Sequence, residues 1–198
     1  MSESSSRSQS SVDLGRLLEE SGAVLRGHFL LTSGRHSDVY FEKFRILTQP
    51  QVLSALCAEI AARFSSSGVE YVAGPTTGGI LIAFEVARQM GVGAVYIEDE
   101  AGTKALRRGQ SVPPGARVLV VDDVLTTGLS VRETVAAVKE AGGKVVGVGV
   151  LIDRAAEQMD FGADLFASYK VEAESWAADE VPDWLAAIAV TKPGTRKG

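Results

Sequence analysis

The chain has 198 residues, a formal net charge of −5 and a hydrophobic content of 45%. This length and composition predict a single domain with an ordinary apolar core. The negative charge argues against nucleic-acid binding, which generally requires a concentrated basic surface. The serine-rich residues 1–11 lack the apolar core of a signal peptide, and no apolar run is long enough to cross a membrane. We therefore expect a cytoplasmic protein that binds neither nucleic acids nor membranes.

The first elements in chain order are a short helix and a covering hairpin. Residues 1–12 are expected to be disordered, and residues 13–198 to form the domain. Spaced leucines predict an amphipathic helix over residues 13–21. Around residues 28–45, two strand-like pieces flank a polar bend, which predicts a hairpin that covers the core.

The rest of the chain alternates strand and helix patterns, which predicts a mainly parallel central sheet flanked by helices. Strands are predicted over residues 71–74, 94–97, 118–121, 144–152 and 164–171, and helices over residues 51–64 and 80–90 and from residue 131. The polar segment 98–111 is predicted to be a mobile loop, and residues 172–198 form a C-terminal extension. The single cysteine, Cys57, lies on an apolar helix face, so we expect it to pack in the core.

An acidic pair follows the most apolar of these strands. Residues 118–121 lack polar alternation, which predicts a central strand covered on both faces. In open α/β sheets, ligands bind outside the carboxyl ends of the strands, where Asp122 and Asp123 are expected. Two adjacent carboxylates can accept hydrogen bonds from the neighbouring hydroxyls of a ribose.

A hydroxyl-rich turn comes next and indicates a phosphate site. Thr126, Thr127 and Ser130 offer hydroxyls, Gly128 permits close approach of the backbone, and a helical pattern resumes at Val131. Free amides and the helix dipole favour an anion at such a helix start. The acidic pair and this turn together point to a phosphorylated sugar. No Gly-Lys-Ser/Thr sequence occurs, which disfavours a nucleoside triphosphatase P-loop. The alternative is an ordinary capped strand-to-helix turn.

These features, with the hairpin at residues 28–45 and a second glycine turn from Thr76 to Gly79, resemble the orotate phosphoribosyltransferases of the type I phosphoribosyltransferase family. The resemblance covers roughly residues 14–171. It implies the α/β type I phosphoribosyltransferase fold, with an N-terminal hood formed by that hairpin and a mobile loop. It also implies transfer of ribose 5-phosphate from phosphoribosyl pyrophosphate (PRPP) to orotate, with Mg²⁺ as cofactor, by a homodimer.

The resemblance implies roles for particular residues. Those expected to bind PRPP are Asp122, Asp123, Val124, Leu125, Thr126, Thr127, Gly128, Leu129, Ser130, Thr76, Thr77, Gly78 and Gly79. Those expected to bind orotate are Thr126, Arg154, Tyr40 and Phe41. Those expected to act in catalysis are Asp122, Asp123, Lys104, Arg107 and Arg108. Mg²⁺ is expected to be held mainly by PRPP near the acidic pair, without a direct protein site.

The predicted loop departs from the family pattern. Over residues 96–109, acidic residues replace an early basic pair of many relatives, and a histidine of the family is missing. Lys104, Arg107 and Arg108 are then the cations available to pyrophosphate. A solvated run of charges is the competing interpretation for all three. Gly78 also stands where some relatives have lysine.

Both the role of Arg154 and the activity of the chain allow a second interpretation. Arg154 can form a strand-end ion pair with Asp153 or Asp160 instead of binding orotate. A purine phosphoribosyltransferase would share the PRPP turn but lack this hood. A non-catalytic regulator that senses PRPP would share the fold, although the acidic balance and the absence of an added DNA-binding module weigh against it.

Overall fold

Two sheets organise the residues that the computed structural model describes, which are 13–31, 33–100, 102–171 and 174–193. The helices are α1 (Leu14–Glu20), α2 (Lys43–Leu47), α3 (Pro50–Arg63), α4 (Gly78–Met90), α5 (Leu129–Glu140) and α6 (Asp183–Ala186). The strands are β1 (Val24–Leu30), β2 (His36–Phe41), β3 (Tyr71–Pro75), β4 (Gly93–Glu100), β5 (Thr103–Leu106), β6 (Arg117–Leu125), β7 (Lys144–Asp153), β8 (Leu165–Lys170), β9 (Ser175–Trp176) and β10 (Val190–Thr191). The segment predicted to be disordered, 1–12, lies outside the described residues. Across the described ranges, no helix is both long enough and apolar enough to cross a membrane.

The larger sheet has the strand order β5-β4-β3-β6-β7-β8, and its neighbours run parallel except β4 and β5. Residues of β6 alternate between its faces. Leu119 and Val121 pack in the cluster that contains α3 and α4, whereas Val118 and Val120 pack in the cluster that contains α5. A strand covered on both faces needs no polar alternation, which explains its continuous apolar run. The predicted mainly parallel sheet flanked by helices is confirmed.

Element boundaries at the functional edge of this sheet differ from the prediction. β6 extends to Leu125, so Asp122 and Asp123 lie inside the strand and not after it. α4 begins at Gly78 and α5 at Leu129, each earlier than predicted. The first residues of both helices lack the apolar spacing that identifies a helix in a sequence. The acidic pair therefore lies within a strand, and each glycine turn runs directly into a helix.

The prediction of a loop over residues 98–111 is wrong for its first half. β4 continues through Glu100 and pairs antiparallel with β5, which makes a hairpin at the sheet edge. β5 also packs against α5. A strand at the edge of a sheet tolerates polar side chains because part of it faces water. The polar composition of this segment therefore does not distinguish an edge hairpin from a loop.

The smaller sheet forms the hood and has the order β10-β1-β2-β9. β1 and β2 make the predicted hairpin, and two short strands of the C-terminal extension pair with its outer edges. Nε2 of His28 lies 2.6 Å from Nδ1 of His36, and Nδ1 of His28 lies 3.1 Å from the carbonyl oxygen of Ile188. The rings of Trp176 and Trp184 pack edge to face, with centroids 6.0 Å apart. The described part of the extension is thus built into the hood.

Cys57 is fully buried in α3, where the sequence predicts a packing role. Burial raises the pKa of its thiol to about 12, with a smaller contribution from the Glu85 carboxylate. The thiol therefore stays protonated and packs as a small apolar group.

Candidate active site

The acidic pair lies near the carboxyl end of β6, inside the larger sheet. Asp122 and Asp123 expose only 6% and 8% of their surfaces. Burial and then repulsion from Asp123 raise the pKa of Asp122, while hydrogen bonding to Ser130 and the charge of Lys104 oppose the rise. Oδ2 of Asp123 accepts a hydrogen bond of 2.8 Å from Nζ of Lys43. Two poorly solvated carboxylates are suited to a ligand that brings hydroxyl donors or positive charge.

The predicted phosphate turn joins β6 to α5 through a tight glycine. Gly128 has a φ of +74°, and a Cβ atom there would lie 2.6 Å from Sδ of Met159 and 3.2 Å from the Phe161 ring. Both the backbone conformation and the space therefore require glycine. Thr126 and Thr127 are exposed at the start of the turn. The first amides of α5, which have no acceptors within the helix, follow directly and can bind a phosphate.

The second glycine turn lies beside the acidic pair. It joins β3 to α4, and the peptide bond between Thr76 and Thr77 is cis. A Cβ atom on Gly78 would lie 2.4 Å from Oδ2 of Asp123. β3 and β6 are parallel neighbours, so their carboxyl ends lie at the same edge of the sheet. The structure therefore brings together the two turns that the sequence predicts to bind PRPP.

The residues predicted to bind orotate meet at this same edge. Arg154 follows β7, and its backbone amide donates a 2.9 Å hydrogen bond to the carbonyl oxygen of Leu125, the residue before Thr126. The central guanidinium carbon of Arg154 lies 5.9 Å from the centre of the Phe41 ring. Burial lowers the pKa of Arg154, and the Tyr40 hydroxyl opposes this shift. A partly buried cation beside two aromatic rings can receive a planar anion.

The competing ion pairs of Arg154 are absent from the described part of the chain. The carboxylate of Asp153 accepts a 2.9 Å hydrogen bond from the amide of Ala155, and that of Asp160 accepts a 2.7 Å bond from the amide of Gly162. Both acidic side chains therefore bind their own backbone turns. The guanidinium stays available to a ligand.

The three predicted loop cations have different surroundings. Lys104 lies on β5, and its Nζ is 3.0 Å from Oγ of Ser130 in the phosphate turn. Arg108 has a φ of +55°, and its Nε is 3.0 Å from a carboxylate oxygen of Glu98 on β4. Arg107 lies between them, just after β5, and is partly buried. Lys104 is thus held at the start of α5, where its Nζ also lies 3.0 Å from a carboxylate oxygen of Glu133, whereas Arg108 is held at the base of the hairpin.

Sequence reasoning does not identify Lys43, the partner of Asp123. Lys43 is the first residue of α2, two positions after Phe41, and 80 positions separate it from Asp123 in the chain. The signal available in the sequence was that Lys43 closely follows Tyr40 and Phe41, which are predicted to bind orotate. Among the described residues, no group of three or more His, Cys, Asp or Glu side chains is placed to hold a metal ion.

Comparison with known proteins identifies the family. A model of the phosphoribosyl transferase domain matches residues 45–179. The orotate phosphoribosyltransferase of Pelotomaculum thermopropionicum is 47% identical over 181 residues, which cover 91% of this chain and 95% of that protein. That of Desulforamulus reducens is 45% identical over the same length, with the same coverage. The solved orotate phosphoribosyltransferase of Aeropyrum pernix superposes with a TM-score of 0.66 at 30% identity, covering 80% of this chain and 94% of that one. The chain belongs to the phosphoribosyltransferase family, among its orotate phosphoribosyltransferases.

Proposed function

We propose that the protein transfers ribose 5-phosphate from PRPP to a ring nitrogen of orotate, giving orotidine 5'-monophosphate and pyrophosphate for UMP synthesis. One observation carries this proposal. The hood and the end of β7 bring Tyr40, Phe41 and Arg154 to the sheet edge that holds the acidic pair and both glycine turns. A site for a planar anion thereby adjoins a site for a phosphorylated sugar.

PRPP would bind along the two turns. Asp122 and Asp123 accept hydrogen bonds from the ribose hydroxyls, and the turn over residues 124–130 holds the 5'-phosphate at the start of α5. The turn from Thr76 to Gly79 faces the diphosphate at the start of α4. Helix starts supply amide donors and a favourable dipole to both anionic groups.

Orotate would bind between the hood and the end of β7. Its carboxylate pairs with Arg154, and a forked guanidinium suits this geometry. Tyr40 and Phe41 border the ring, and the exposed Thr126 lies beside it at the start of the phosphate turn. The paired anion and cation compensate each other's loss of hydration, which a purine base without a carboxylate does not do.

Catalysis would rest on orientation and electrostatics, because stabilised pyrophosphate leaves without the help of a histidine base. Asp122 and Asp123 fix the sugar while positive charge develops on it. Arg107 and Arg108 are proposed to meet the leaving diphosphate from the β4–β5 hairpin. Lys104 is proposed to support the phosphate turn, and the 3.0 Å contact of its Nζ with Oγ of Ser130 supports this role.

Mg²⁺ is proposed as the cofactor, held mainly by the oxygens of PRPP near Asp122 and Asp123. Carboxylate and phosphate oxygens are the donors that this ion prefers. When bound, it neutralises part of the charge of the diphosphate. The protein's own residues would then orient the ribose beside it.

A homodimer is proposed from an exposed apolar patch. Phe44 on α2 and Leu81 and Phe84 on α4 expose 57%, 46% and 61% of their surfaces, and α2 packs on α4. Large apolar side chains concentrated on adjacent elements are typical of protein contacts. Light scattering would test the proposal: Phe84→Lys should convert a dimer to a monomer.

The decisive test is incubation with PRPP, Mg²⁺ and one base at a time, followed by identification of the nucleotide. Orotate should be converted, whereas adenine, guanine and hypoxanthine should not. Conversion of a purine would favour a purine phosphoribosyltransferase, and PRPP binding without any turnover would favour a regulator.

The cytoplasmic location stays a prediction that cell fractionation can test.

A further inference from the structure

Lys43, the first residue of α2, is joined to the acidic pair, although the proposed reaction assigns it no task. Its Nζ lies 2.8 Å from Oδ2 of Asp123. The side chain of Asp123 is 11% exposed and that of Lys43 is 42% exposed. A charge-assisted bond to a carboxylate with little solvation is stronger than a bond between two exposed charges.

The packing around Asp123 leaves no room for a side chain on the first residue of α4. A Cβ atom on Gly78 would lie 2.4 Å from Oδ2 of Asp123 and 2.9 Å from Cδ1 of Leu47 in α2. No side chain at this position of α4 can reach the carboxylate without displacing it or α2. Lys43 approaches from the α2 side, and its flexible stem delivers the ammonium group without such a clash.

The ion pair engages one oxygen of the carboxylate. Within the described part of the chain, the hydrogen bond to the Asp123 carboxylate goes to Oδ2, and Oδ1 accepts none. Asp122 carries the adjacent carboxylate, and repulsion between the two contributes to the raised pKa of Asp122. The ammonium of Lys43 offsets this negative charge and fixes the direction of the Asp123 side chain.

We propose that Lys43 is a positioning residue for PRPP, which orients the Asp123 carboxylate toward the ribose hydroxyls and offsets the charge of the acidic pair. This inference rests on the proposed function. Lys43 acts through Asp123, so its removal should weaken PRPP binding and spare the orotate subsite.

The test compares Lys43→Met with Lys43→Arg. Lys139→Met, in the exposed last turn of α5, is the matched control. PRPP binding is measured by calorimetry with Mg²⁺, and KM is measured for each substrate. The methionine variant should weaken PRPP binding about tenfold, which corresponds to the loss of one charge-assisted hydrogen bond. Its KM for orotate should stay within about twofold of the wild-type value, because the lost interaction is not part of ground-state orotate binding. Arginine should restore most of the affinity, and the control should bind as the wild type does.

A double-mutant cycle with Asp123→Asn tests the route of the effect. In the Asp123→Asn background, Lys43→Met should have little further effect on PRPP affinity. An equal loss in both backgrounds, or wild-type affinity in Lys43→Met, would overturn the inference. Lys43→Gln provides the same comparison if the methionine variant does not fold. Wild-type protein that binds no PRPP would instead overturn the proposed function.

Discussion

Replacing Arg154 by methionine should impair the use of orotate and leave the fold intact. Burial lowers the pKa of this arginine, so the folded protein itself gains little from the charge. A charge-assisted hydrogen bond to the orotate carboxylate contributes about 1.5–3 kcal/mol. We therefore expect kcat/KM for orotate to fall about 100-fold, which corresponds to about 2.7 kcal/mol.

The assay follows the loss of orotate absorbance at saturating PRPP and Mg²⁺, and KM for PRPP is measured separately. Arg63→Met is a matched control, because its guanidinium carbon lies 5.4 Å from the Phe64 ring and it pairs with Asp164 at the opposite end of the sheet. The control should keep wild-type kinetics. A fall of less than about threefold for Arg154→Met, or an equal loss of affinity for both substrates, would refute the assignment of Arg154 to the orotate carboxylate.

Three further predictions concern stability and reactivity. Gly128→Ala should raise KM for PRPP and lower the free energy of unfolding by about 2 kcal/mol, because the new Cβ meets Met159 in a left-handed turn; wild-type thermal stability would contradict this. Hydrogen bonding from Arg88 helps to lower the pKa of Glu85 to about 2, so this carboxylate stabilises the fold above its ordinary pKa of 4.5 and loses that effect as pH falls toward 2. Glu85→Gln should therefore lower the free energy of unfolding by about 1 kcal/mol near neutral pH, in denaturant titrations, and the difference from wild type should shrink below pH 4.5. The thiol of Cys57 should not react with a disulfide reagent until the protein unfolds, and rapid native-state labelling would show that it is not buried.

Features of this protein that depend on residues adjacent in the chain can be predicted from the sequence. The apolar run of β6 identifies a strand buried on both faces, because a strand of a covered parallel sheet has no face in water. The residues after this run predict a turn that binds a sugar phosphate, because Asp122, Asp123 and Gly128 are close in the chain and Gly128 meets the backbone requirement of the turn. The mainly parallel sheet and the family follow from these local patterns.

Residues far apart in the chain complete the candidate site, and the fold brings them together. The Lys43–Asp123 pair joins residues 80 positions apart, and nothing in the local sequence of either residue specifies the other. In the sequence, the edge hairpin of β4 and β5 cannot be told from a loop, because polar side chains face water in both. The sequence also does not reveal the two C-terminal strands of the hood. β9 and β10 are too short to leave a periodic signal, and they pair with strands that lie far away in the chain.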